Sequence, residues 1–399
     1  MAQIRLLTFS TLFPNPEQPN HGVFVENRLR HLVASREVTS TVLAPVPFMP
    51  DLPLLTDFGR RLGWDRYIKV PSHEVRHGLE VHHPRYLVIP RFGMNLAPAL
   101  LAHAAERSLR RLLAGGLQFD AIDAHYVYPD GVAAIRLGRI FGKPVVITAR
   151  GSDLTQLPLY PRPRRMIQQA IAAADALVSV SAALGEALVE LGAPPERVHV
   201  LRNGIDTVMF RPADRVAARA RLGLHGPTLI SVGLLIERKG HDRTIAAMAE
   251  LPGHQLLIIG EGPERAALHA QAERLGVADR VRLLGSRPHA ELPDYYSAAD
   301  AMVLSSSREG WANVLLESMA CGTPVVASAI AGNPEVVRSP AAGLVVENNT
   351  PAGIAAGVRH LLANPPDRKA TRRYAEQFSW DETTAGQLRL FRAVTGVSL

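Results

Sequence analysis

Short apolar runs bounded by turn residues alternate along the chain with longer Ala-, Leu- and Arg-rich stretches of helical period. Apolar runs of this kind are typical of strands buried on both faces, and their alternation with helical stretches is typical of parallel strands joined by crossover helices. The pattern occurs twice. The predicted strands are Ile4–Phe9, Val38–Leu43, Ala121–Ala124, Val145–Thr148, Ala176–Ser179 and Val198–Leu201, then Thr228–Val232, Gln255–Ile259, Val281–Leu284, Ala301–Leu304, Pro324–Ala327 and Gly343–Val345.

The longer stretches predict helices between these strands. Examples are Arg28–Ala34, His103–Leu113, Arg243–Glu250 and Pro263–Leu275. The predicted fold class is therefore α/β, with two Rossmann-like doubly wound domains that face each other across a cleft. A chain of 399 residues is also longer than one hydrophobic core usually supports, so length and pattern agree on two domains.

An Asn-Gly turn at Asn203-Gly204 separates the two halves and predicts a hinge at residues 202–210. We place the N-terminal domain at residues 1–205 and the C-terminal domain at residues 206–377. Residues 378–399 follow the second predicted sheet, and they predict a C-terminal helix that crosses back to the N-terminal domain.

The composition is that of an ordinary globular protein, with 47% hydrophobic and 20% charged residues. Such values exclude an intrinsically disordered chain. The single cysteine, Cys321, can form neither an internal disulfide nor a cysteine-rich metal site, which indicates a reducing compartment. No apolar run approaches the roughly 20 residues that a membrane span needs. We expect a cytoplasmic protein, with peripheral binding to the inner face of the cell membrane as the alternative.

The net charge of +7 has its basic excess mainly in residues 1–205. A basic surface attracts nucleic acid, anionic lipid or a phosphorylated ligand, although an arginine-rich composition without any binding role explains it equally well. No zinc-ligand spacing, recognition-helix signature or aromatic-basic motif occurs, so nucleic acid is not an expected partner. The irregular insert at residues 46–70 predicts either an acceptor or membrane contact, or a loop folded over its own core.

The densest polar cluster follows the predicted strand Ala301–Leu304. It reads Ser305-Ser306-Ser307-Arg308-Glu309-Gly310-Trp311-Ala312-Asn313-Val314-Leu315-Leu316-Glu317. Residues eight positions apart differ by about 80° on a helix, so Glu309 is assigned to the loop and Glu317 to the helix. A loop that enters a helix at the carboxyl edge of a parallel sheet offers free N–H groups to a diphosphate. Taken alone, the two acids are better explained as solvated residues at a helix start.

Three further strand ends change that interpretation. Thr228–Val232 is followed by Gly233-Leu234-Leu235-Ile236-Glu237-Arg238-Lys239-Gly240, Gln255–Ile259 by Gly260-Glu261-Gly262-Pro263, and Val281–Leu284 by Gly285-Ser286-Arg287-Pro288. The carboxyl ends of parallel strands meet at one edge of a sheet. These glycines, cations and acids are therefore predicted to form one binding rim.

The order of these motifs resembles glycosyltransferase family 4. They are Arg238-Lys239-Gly240, then Gly260-x-Gly262-Pro263, then Glu309-Gly310-Trp311, and finally Glu317 with the following Ala-Cys-Gly-Thr-Pro-Val-Val. Glycosyltransferase family 4 is a large family of retaining enzymes with the GT-B fold, and the resemblance covers essentially the whole chain. It implies a hexosyltransferase whose donor substrate is a nucleotide diphosphate sugar and which uses no cofactor. No Asp-x-Asp occurs in the sequence, so we expect no divalent metal ion either.

The resemblance also implies roles for the rim residues. Lys239, assisted by Arg238, would clamp the donor diphosphate, Glu309 would hold the transferred hexose, and Glu317 would bind the ribose. The remaining donor-binding residues would be Gly233, Gly262, Arg287 facing the nucleobase, and the backbone of Gly310, Trp311, Ala312 and Asn313. The family commonly has Arg where this chain has Leu234, so Arg238 is expected to supply the missing charge.

In the first half, the resemblance implies that His125 faces the transferred sugar, whereas a lone histidine is more often structural. Asn20-His21-Gly22 matches the place where the family brings a glycine loop to the donor, so His21 and Gly22 are candidates. Arg150-Gly151-Ser152-Asp153 matches a motif that commonly reads His-Gly-x-Asp. Arg150 and Asp153 either face the cleft or hydrogen-bond across their own loop.

Two segments, Tyr128-Pro129-Asp130-Gly131 and Arg150-Gly151-Ser152-Asp153, are similar to enzymes that make bacterial surface polysaccharides of the teichuronic-acid type. The similarity implies a saccharide or lipid-linked acceptor, with an anionic membrane surface as a further partner of the basic N-terminal domain and of residues 161–165. Two alternatives stay open: a nucleotide-sugar epimerase on the same fold and a non-catalytic nucleotide-sugar-binding protein. A nicotinamide dehydrogenase is excluded because no Gly-x-Gly-x-x-Gly follows the first strand.

Overall fold

The computed structural model describes residues 3–48, 65–88 and 93–397. It contains two compact units, one of Met1–Arg202 with Asp381–Leu399 and one of Asn203–Trp380. Most of the insert predicted to contact acceptor or membrane, residues 49–64, lies outside the described residues, so its role stays a prediction.

The first unit is built on a mainly parallel sheet. Its strands are β1 (Ile4–Phe9), β2 (Val38–Leu43), β3 (Val46–Phe48), β4 (His73–Arg76), β5 (Leu79–His82), β6 (Arg85–Leu87), β7 (Ala121–His125), β8 (Val145–Ala149), β9 (Ala176–Ser179) and β10 (Val198–Val200). Its helices are α1 (Val23–Ala34), α2 (Gly93–Ala114), α3 (Val132–Phe141), α4 (Ser152–Thr155), α5 (Pro161–Ala173) and α6 (Ala182–Glu190). The eight-stranded sheet has the order β10-β9-β8-β7-β1-β2-β5-β4, and β3 pairs with β6.

The second unit is built on a six-stranded sheet in which every pair of neighbours is parallel. Its strands are β11 (Thr228–Val232), β12 (Gln255–Ile259), β13 (Val281–Gly285), β14 (Ala301–Leu304), β15 (Val325–Ser328) and β16 (Gly343–Val346). Its helices are α7 (Arg215–Leu222), α8 (His241–Ala247), α9 (Arg265–Arg274), α10 (Leu292–Ala298), α11 (Asn313–Ala320), α12 (Asn333–Val336), α13 (Pro351–Ala363) and α14 (Arg368–Ala375). The order is β13-β12-β11-β14-β15-β16.

The last helix, α15 (Trp380–Thr395), completes the core of the first unit. Leu388 and Phe391 are buried in one apolar cluster with Ile4 and Leu6 of the central strand β1. Gly386 lets this helix approach closely, since a Cβ there would lie 2.4 Å from Cδ2 of Leu201.

All the predicted strands are present, with ends shifted by at most one residue, and the α/β class with two Rossmann-like units is confirmed. The pattern missed β3 to β6. The β4/β5 hairpin lies at the sheet edge, where β4 is at least partly exposed throughout and β5 buries only Leu79 and Val81, so it contains no continuous apolar run. No helix within the described ranges has both the length and the apolar character needed to cross a bilayer.

Candidate functional site

The sheet order of the second unit brings together the four strand ends that are followed by glycines, cations or acids. β11 lies between β12 and β14, β13 flanks β12, and all these pairs are parallel. Their carboxyl ends therefore share one edge. The predicted rim is present as a structural feature.

Lys239 and Glu309 meet at this rim although they are far apart in sequence. Nζ of Lys239 lies 2.5 Å from Oε1 of Glu309, to which Oγ of Ser306 also donates at 2.7 Å. Nη1 of Arg238 lies 3.9 Å from Oε2. The Glu309 side chain is only 8% exposed, so burial and these contacts fix the carboxylate beside two cations. A diphosphate that binds Lys239 would have to compete with Glu309 for it.

Backbone contacts join the two loops that carry this pair. The N–H of Ser307 donates to the carbonyl of Arg238 at 2.8 Å, and Oγ of Ser305 donates to the carbonyl of Gly240 at 2.6 Å. Gly240 has φ +69°, and a Cβ there would lie 2.1 Å from the Ser305 carbonyl oxygen. The approach of Lys239 to Glu309 therefore requires glycine at position 240.

Two other rim glycines are also required by the backbone of the unit itself. A Cβ at Gly260 would lie 1.8 Å from the carbonyl oxygen of Gly233, and one at Gly262 would lie 2.3 Å from that of Leu235. A Cβ at Gly233 would lie 3.4 Å from the Lys239 side chain. The backbone contact accounts for Gly262 without a ligand, whereas the contact at Gly233 is an ordinary one that does not require glycine. The donor-binding role of both glycines stays a prediction.

Glu317 lies in α11 and has its own partners. The hydroxyl of Tyr296 donates to Oε2 at 2.9 Å, and Nε2 of His289 lies 3.3 Å from Oε1. The ring of His289 packs 4.9 Å from that of Phe210. Burial lowers the pKa of His289, but the hydrogen bond and charge of Glu317, with the charge of Asp206, outweigh it and raise the pKa.

Sequence reasoning missed both His289 and Tyr296. The only available signal for His289 was its place directly after Arg287-Pro288, a segment already assigned to the rim. Burial and the charge of Glu317 raise the pKa of Tyr296 well above its usual value, so it donates to Glu317 as a neutral phenol.

The segment between Glu309 and α11 is buried at Gly310, Trp311 and Ala312. Ala312 is the N-cap of α11, and no side chain caps this helix start. Its first N–H groups are candidates for an anion, which would compete with the carbonyl oxygens of Trp311 and Ala312 that accept from Asn313 and Leu315 at 3.1 and 3.0 Å. Asn313 accepts at Oδ1 from the Asn203 amide at 3.2 Å.

Arg287 and Leu234 occupy different environments. Nε of Arg287 is buried and has no hydrogen-bond acceptor within the part of the chain that the structure describes. The Leu234 side chain is 58% exposed and brings no charge to the rim. Arg238 is thus the second cation near Glu309.

In the first unit, His125 is held by two side chains. Its ring is 1% exposed, Nδ1 lies 2.7 Å from Nη2 of Arg150, and Nε2 lies 3.2 Å from Oδ2 of Asp123. Because Arg150 can only donate, Nδ1 accepts and the proton of neutral His125 sits on Nε2. Burial and the charges of Arg150 and Arg28 lower the pKa of His125, while Asp123 opposes them. Both ring nitrogens thus face side chains, as in the structural interpretation of a lone histidine.

Arg150 and Asp153 lie in the same buried cluster. Burial, with the charge of Arg28, lowers the pKa of Arg150 to about 9 against the opposing charges of Asp123 and Asp153. Asp153 is fully buried, and its carboxylate accepts from the N–H groups of Val127 at 2.8 Å and Gly151 at 2.6 Å. Asp153 therefore hydrogen-bonds across its own loop, and a cleft-facing role for Arg150 and Asp153 stays a prediction.

His21 and Gly22 lie in the loop between β1 and α1. Nε2 of His21 lies 3.1 Å from the carbonyl oxygen of Thr11, and His21 lines a cavity of about 200 Å³ beside Tyr67 and Tyr86. Gly22 has φ +72°, and a Cβ there would lie 2.3 Å from the carbonyl oxygen of Leu12. Gly22 therefore closes the loop against its own backbone.

The described residues contain no group of three or more His, Cys, Asp or Glu side chains arranged to hold a metal ion. The polar groups at the rim are those of Lys239 and Arg238, the backbone N–H groups that begin α11, and two carboxylates. Such a set can bind a diphosphate and accept hydrogen bonds from hydroxyl groups.

Comparisons with known proteins give consistent results. Residues 23–208 match the family described as Glycosyltransferase Family 4, and residues 216–378 match Glycosyl transferases group 1. The D-inositol 3-phosphate glycosyltransferase 1 of Catenulispora acidiphila is 33% identical over 322 residues, which are 73% of this chain and 77% of that protein. The D-inositol 3-phosphate glycosyltransferase of Segniliparus rotundus is 38% identical over 240 residues, 56% of this chain and 54% of that protein, so the match spans about half of that relative.

Solved structures show the same fold. Sucrose-phosphate synthase from Thermosynechococcus elongatus has a TM-score of 0.81 at 21% identity, with 100% of both chains covered. HepE of Anabaena, solved with UDP and glucose, has a TM-score of 0.73 at 18% identity, covering 98% of this chain and 100% of that one. At these identities the likeness concerns the fold alone. The relatives named above do not support the predicted teichuronic-acid-type branch, which is corrected accordingly.

Proposed function

The chain belongs to glycosyltransferase family 4, and from this premise we propose that it moves a hexose, with retention of the anomeric configuration, from a nucleotide diphosphate sugar to a small phosphorylated polyol. The main observation in support of a nucleotide-sugar donor is the contact of Lys239 with Glu309 at the carboxyl rim of the second sheet. The proposed acceptor, a small phosphorylated polyol, rests on the relatives named D-inositol 3-phosphate glycosyltransferase. The basic excess of residues 1–205 suits a phosphorylated acceptor.

The proposed chemistry breaks the bond between the anomeric carbon and the diphosphate while the acceptor oxygen forms a bond to the same carbon. Negative charge develops on the leaving phosphate, and preorganised donors there lower the barrier most. Lys239, Arg238 and the first N–H groups of α11 would supply them. The family resemblance implies that the leaving phosphate accepts the proton of the acceptor hydroxyl.

Glu309 and Glu317 would bind different parts of the donor. Once the diphosphate attracts Lys239, the Glu309 carboxylate is released to accept hydrogen bonds from hexose hydroxyls. Glu317, held by Tyr296 and His289, is fixed to accept from the ribose hydroxyls. Glu309 would thus recognise the transferred sugar and Glu317 the nucleoside.

A transfer assay with Lys239→Ala and Glu309→Gln tests the proposal. Uridine and guanosine diphosphate sugars are offered with inositol phosphate or an oligosaccharide, and nucleoside diphosphate and glycoside are quantified. Each variant should lose at least about 100-fold in kcat/KM, since each removes a charged group from the reacting region. Glu273→Gln, an exposed carboxylate of α9, is the matched control and should be unchanged.

The outcomes separate the alternatives. Near wild-type turnover of either site variant contradicts the site assignment. Transfer to the oligosaccharide but not to inositol phosphate contradicts the acceptor and favours a saccharide acceptor. An epimerised donor formed without acceptor identifies an epimerase, and donor binding without any product identifies a binding protein.

A further inference from the structure

A second groove lies in the first unit, between helix α2 and strands β4 to β6. Its volume is about 620 Å³, within the range of small-molecule sites. Of the residues assigned above to donor or acceptor chemistry, only Phe48, from the insert at residues 46–70, lines it.

One wall of this groove is a row of basic residues on α2. His103, Arg107 and Arg111 are spaced four residues apart, so they lie on one face of the helix, and all three are exposed. Arg107 and His103 have no acidic partner among the described residues. By contrast, Arg110, which does not line the groove, binds Glu106 at 2.8 Å. Glu106 thus neutralises Arg110 outside the groove, whereas the charges of the basic residues that face the groove are not neutralised by an acid on the same helix.

The opposite wall includes the imidazole rings of His73, His82 and His83, together with Ser72, Pro84 and Arg85. The rings of His73 and His82 lie 4.7 Å apart, and His73 is bound through Nε2 to Glu80 at 2.5 Å. Burial, followed by the charge of His73, lowers the pKa of His82, so that ring is a neutral partner for a ligand. No Asp or Glu of the described ranges lines the groove, although Glu80 and Glu74 lie behind it, bound to the lining rings of His73 and His83. With Arg107 and Arg111 on the facing helix, the lining favours an anion over a cation.

The rest of the lining includes exposed apolar side chains. Phe48 is 40% exposed and Leu87 is 37% exposed, and they come from the paired strands β3 and β6. A ligand of this groove therefore has an anionic end and a part that can cover apolar surface. Two guanidinium groups one helical turn apart, with an imidazole beside them, match the several oxygens of a phosphate better than the two of a carboxylate.

We propose that this groove binds an organic phosphate, with the phosphate between His103, Arg107 and Arg111 and the organic part against Phe48 and Leu87. The ligand's source is either a soluble phosphate ester or a lipid headgroup, since both present the same group. This site is separate from the one that holds the donor, and it does not depend on the proposed transfer reaction.

Calorimetric titration of the full chain at low salt tests the proposal. The probes are glycerol 3-phosphate and the short-chain soluble lipid dihexanoyl phosphatidic acid, with the donor site first saturated by nucleoside diphosphate. The double variant Arg107→Ala with Arg111→Ala should raise the Kd of the bound probe at least about tenfold, because it removes both charge-assisted contacts. Arg110→Ala, the neighbouring arginine outside the groove, should leave the Kd unchanged.

The two probes also identify the source. Tighter binding of the lipid, with retention on phosphatidylglycerol vesicles, identifies a lipid headgroup, whereas equal binding of both probes identifies a soluble phosphate ester. The proposal is overturned when the wild-type chain binds neither probe at millimolar concentration, or when the double variant binds like the wild type. Unchanged stabilisation of each variant by nucleoside diphosphate shows that the donor site is intact, so failure here leaves the proposed function standing.

Discussion

A single buried carboxyl group, Asp130, holds the loop that follows β1 in the first unit. It is fully buried, and its two oxygens accept from the N–H of Thr11 at 3.2 Å and from its hydroxyl at 2.9 Å. Burial raises the pKa of Asp130 to about 8, against the two hydrogen bonds from Thr11 and with help from the charge of Asp153. The folded protein therefore keeps Asp130 mostly protonated at neutral pH.

This proton makes stability depend on pH. Because the folded pKa of Asp130 lies above its unfolded value, its favourable contribution is complete below about pH 4 and is lost as the pH rises to about 8. Asp130→Asn cannot ionise and avoids the loss. In urea titrations, the unfolding free energy of the variant relative to wild type should rise by on the order of a few kcal/mol between about pH 5 and about pH 8.5.

Glu186→Gln provides the control, because Glu186 is an exposed carboxylate of the same unit. Its stability relative to wild type should show no such rise. A flat difference for Asp130→Asn would mean that Asp130 is ionised in the folded protein.

Residue roles were predictable where strand order decides them and not where side-chain packing does. The meeting of Lys239 with Glu309 follows from neighbouring parallel strands, so the sequence pattern could predict it. The hydrogen bonds of Tyr296 and His289 to Glu317 depend on how α10 and the turn before it pack against α11, and no local sequence motif indicates that packing. The contact between His125 and Arg150 likewise depends on side-chain packing between β7 and the loop after β8.

At the scale of elements, close approaches between loops shape the rim, and glycine permits them. Gly240 and Gly276 have nearly the same backbone, with φ +69° and +65°. They differ in their surroundings, since a Cβ at Gly240 would meet the Ser305 carbonyl oxygen at 2.1 Å whereas one at Gly276 meets nothing within 4 Å. The pair separates the cost of the backbone conformation from the cost of loop contact.

Gly276→Ala should lower the unfolding free energy by about 1 kcal/mol, the cost of a left-handed backbone. Gly240→Ala should cost at least about 2 kcal/mol more, because its methyl group forces apart the loops that carry Lys239 and Glu309. Urea unfolding measures both variants, and the same samples should show weaker donor binding for Gly240→Ala alone. Equal costs would contradict the proposed role of this loop contact.

Elements with a continuous apolar run were predictable, and polar edge elements were not. β11 and β12 are fully or almost fully buried and were located to the residue. The β4/β5 hairpin turns at His77-Gly78, where both residues have positive φ. In β5 the buried Leu79 and Val81 alternate with polar residues, and β4 has no buried residue, so neither strand contains a continuous apolar run.

At the scale of the whole molecule, the last helix packs against the strand β1 in the first unit. α15 joins the second unit at Trp380 and the first from Asp381 onward, and its Leu388 and Phe391 pack against Ile4 and Leu6. The core of the first unit therefore includes residues from both ends of the sequence. That unit can complete its core only when the last helix is in place.

The central proposal for this enzyme is that the rim of the second unit binds the donor, and a crystal structure of the full chain with a nucleoside diphosphate tests it most directly. The ligand is whichever of uridine or guanosine diphosphate gives the larger thermal stabilisation, because a ligand stabilises the state that binds it. The diphosphate should lie within hydrogen-bond distance of Nζ of Lys239 and the N–H groups that begin α11, with the ribose hydroxyls on Glu317. A diphosphate bound elsewhere, with Lys239 still paired to Glu309, would contradict this assignment.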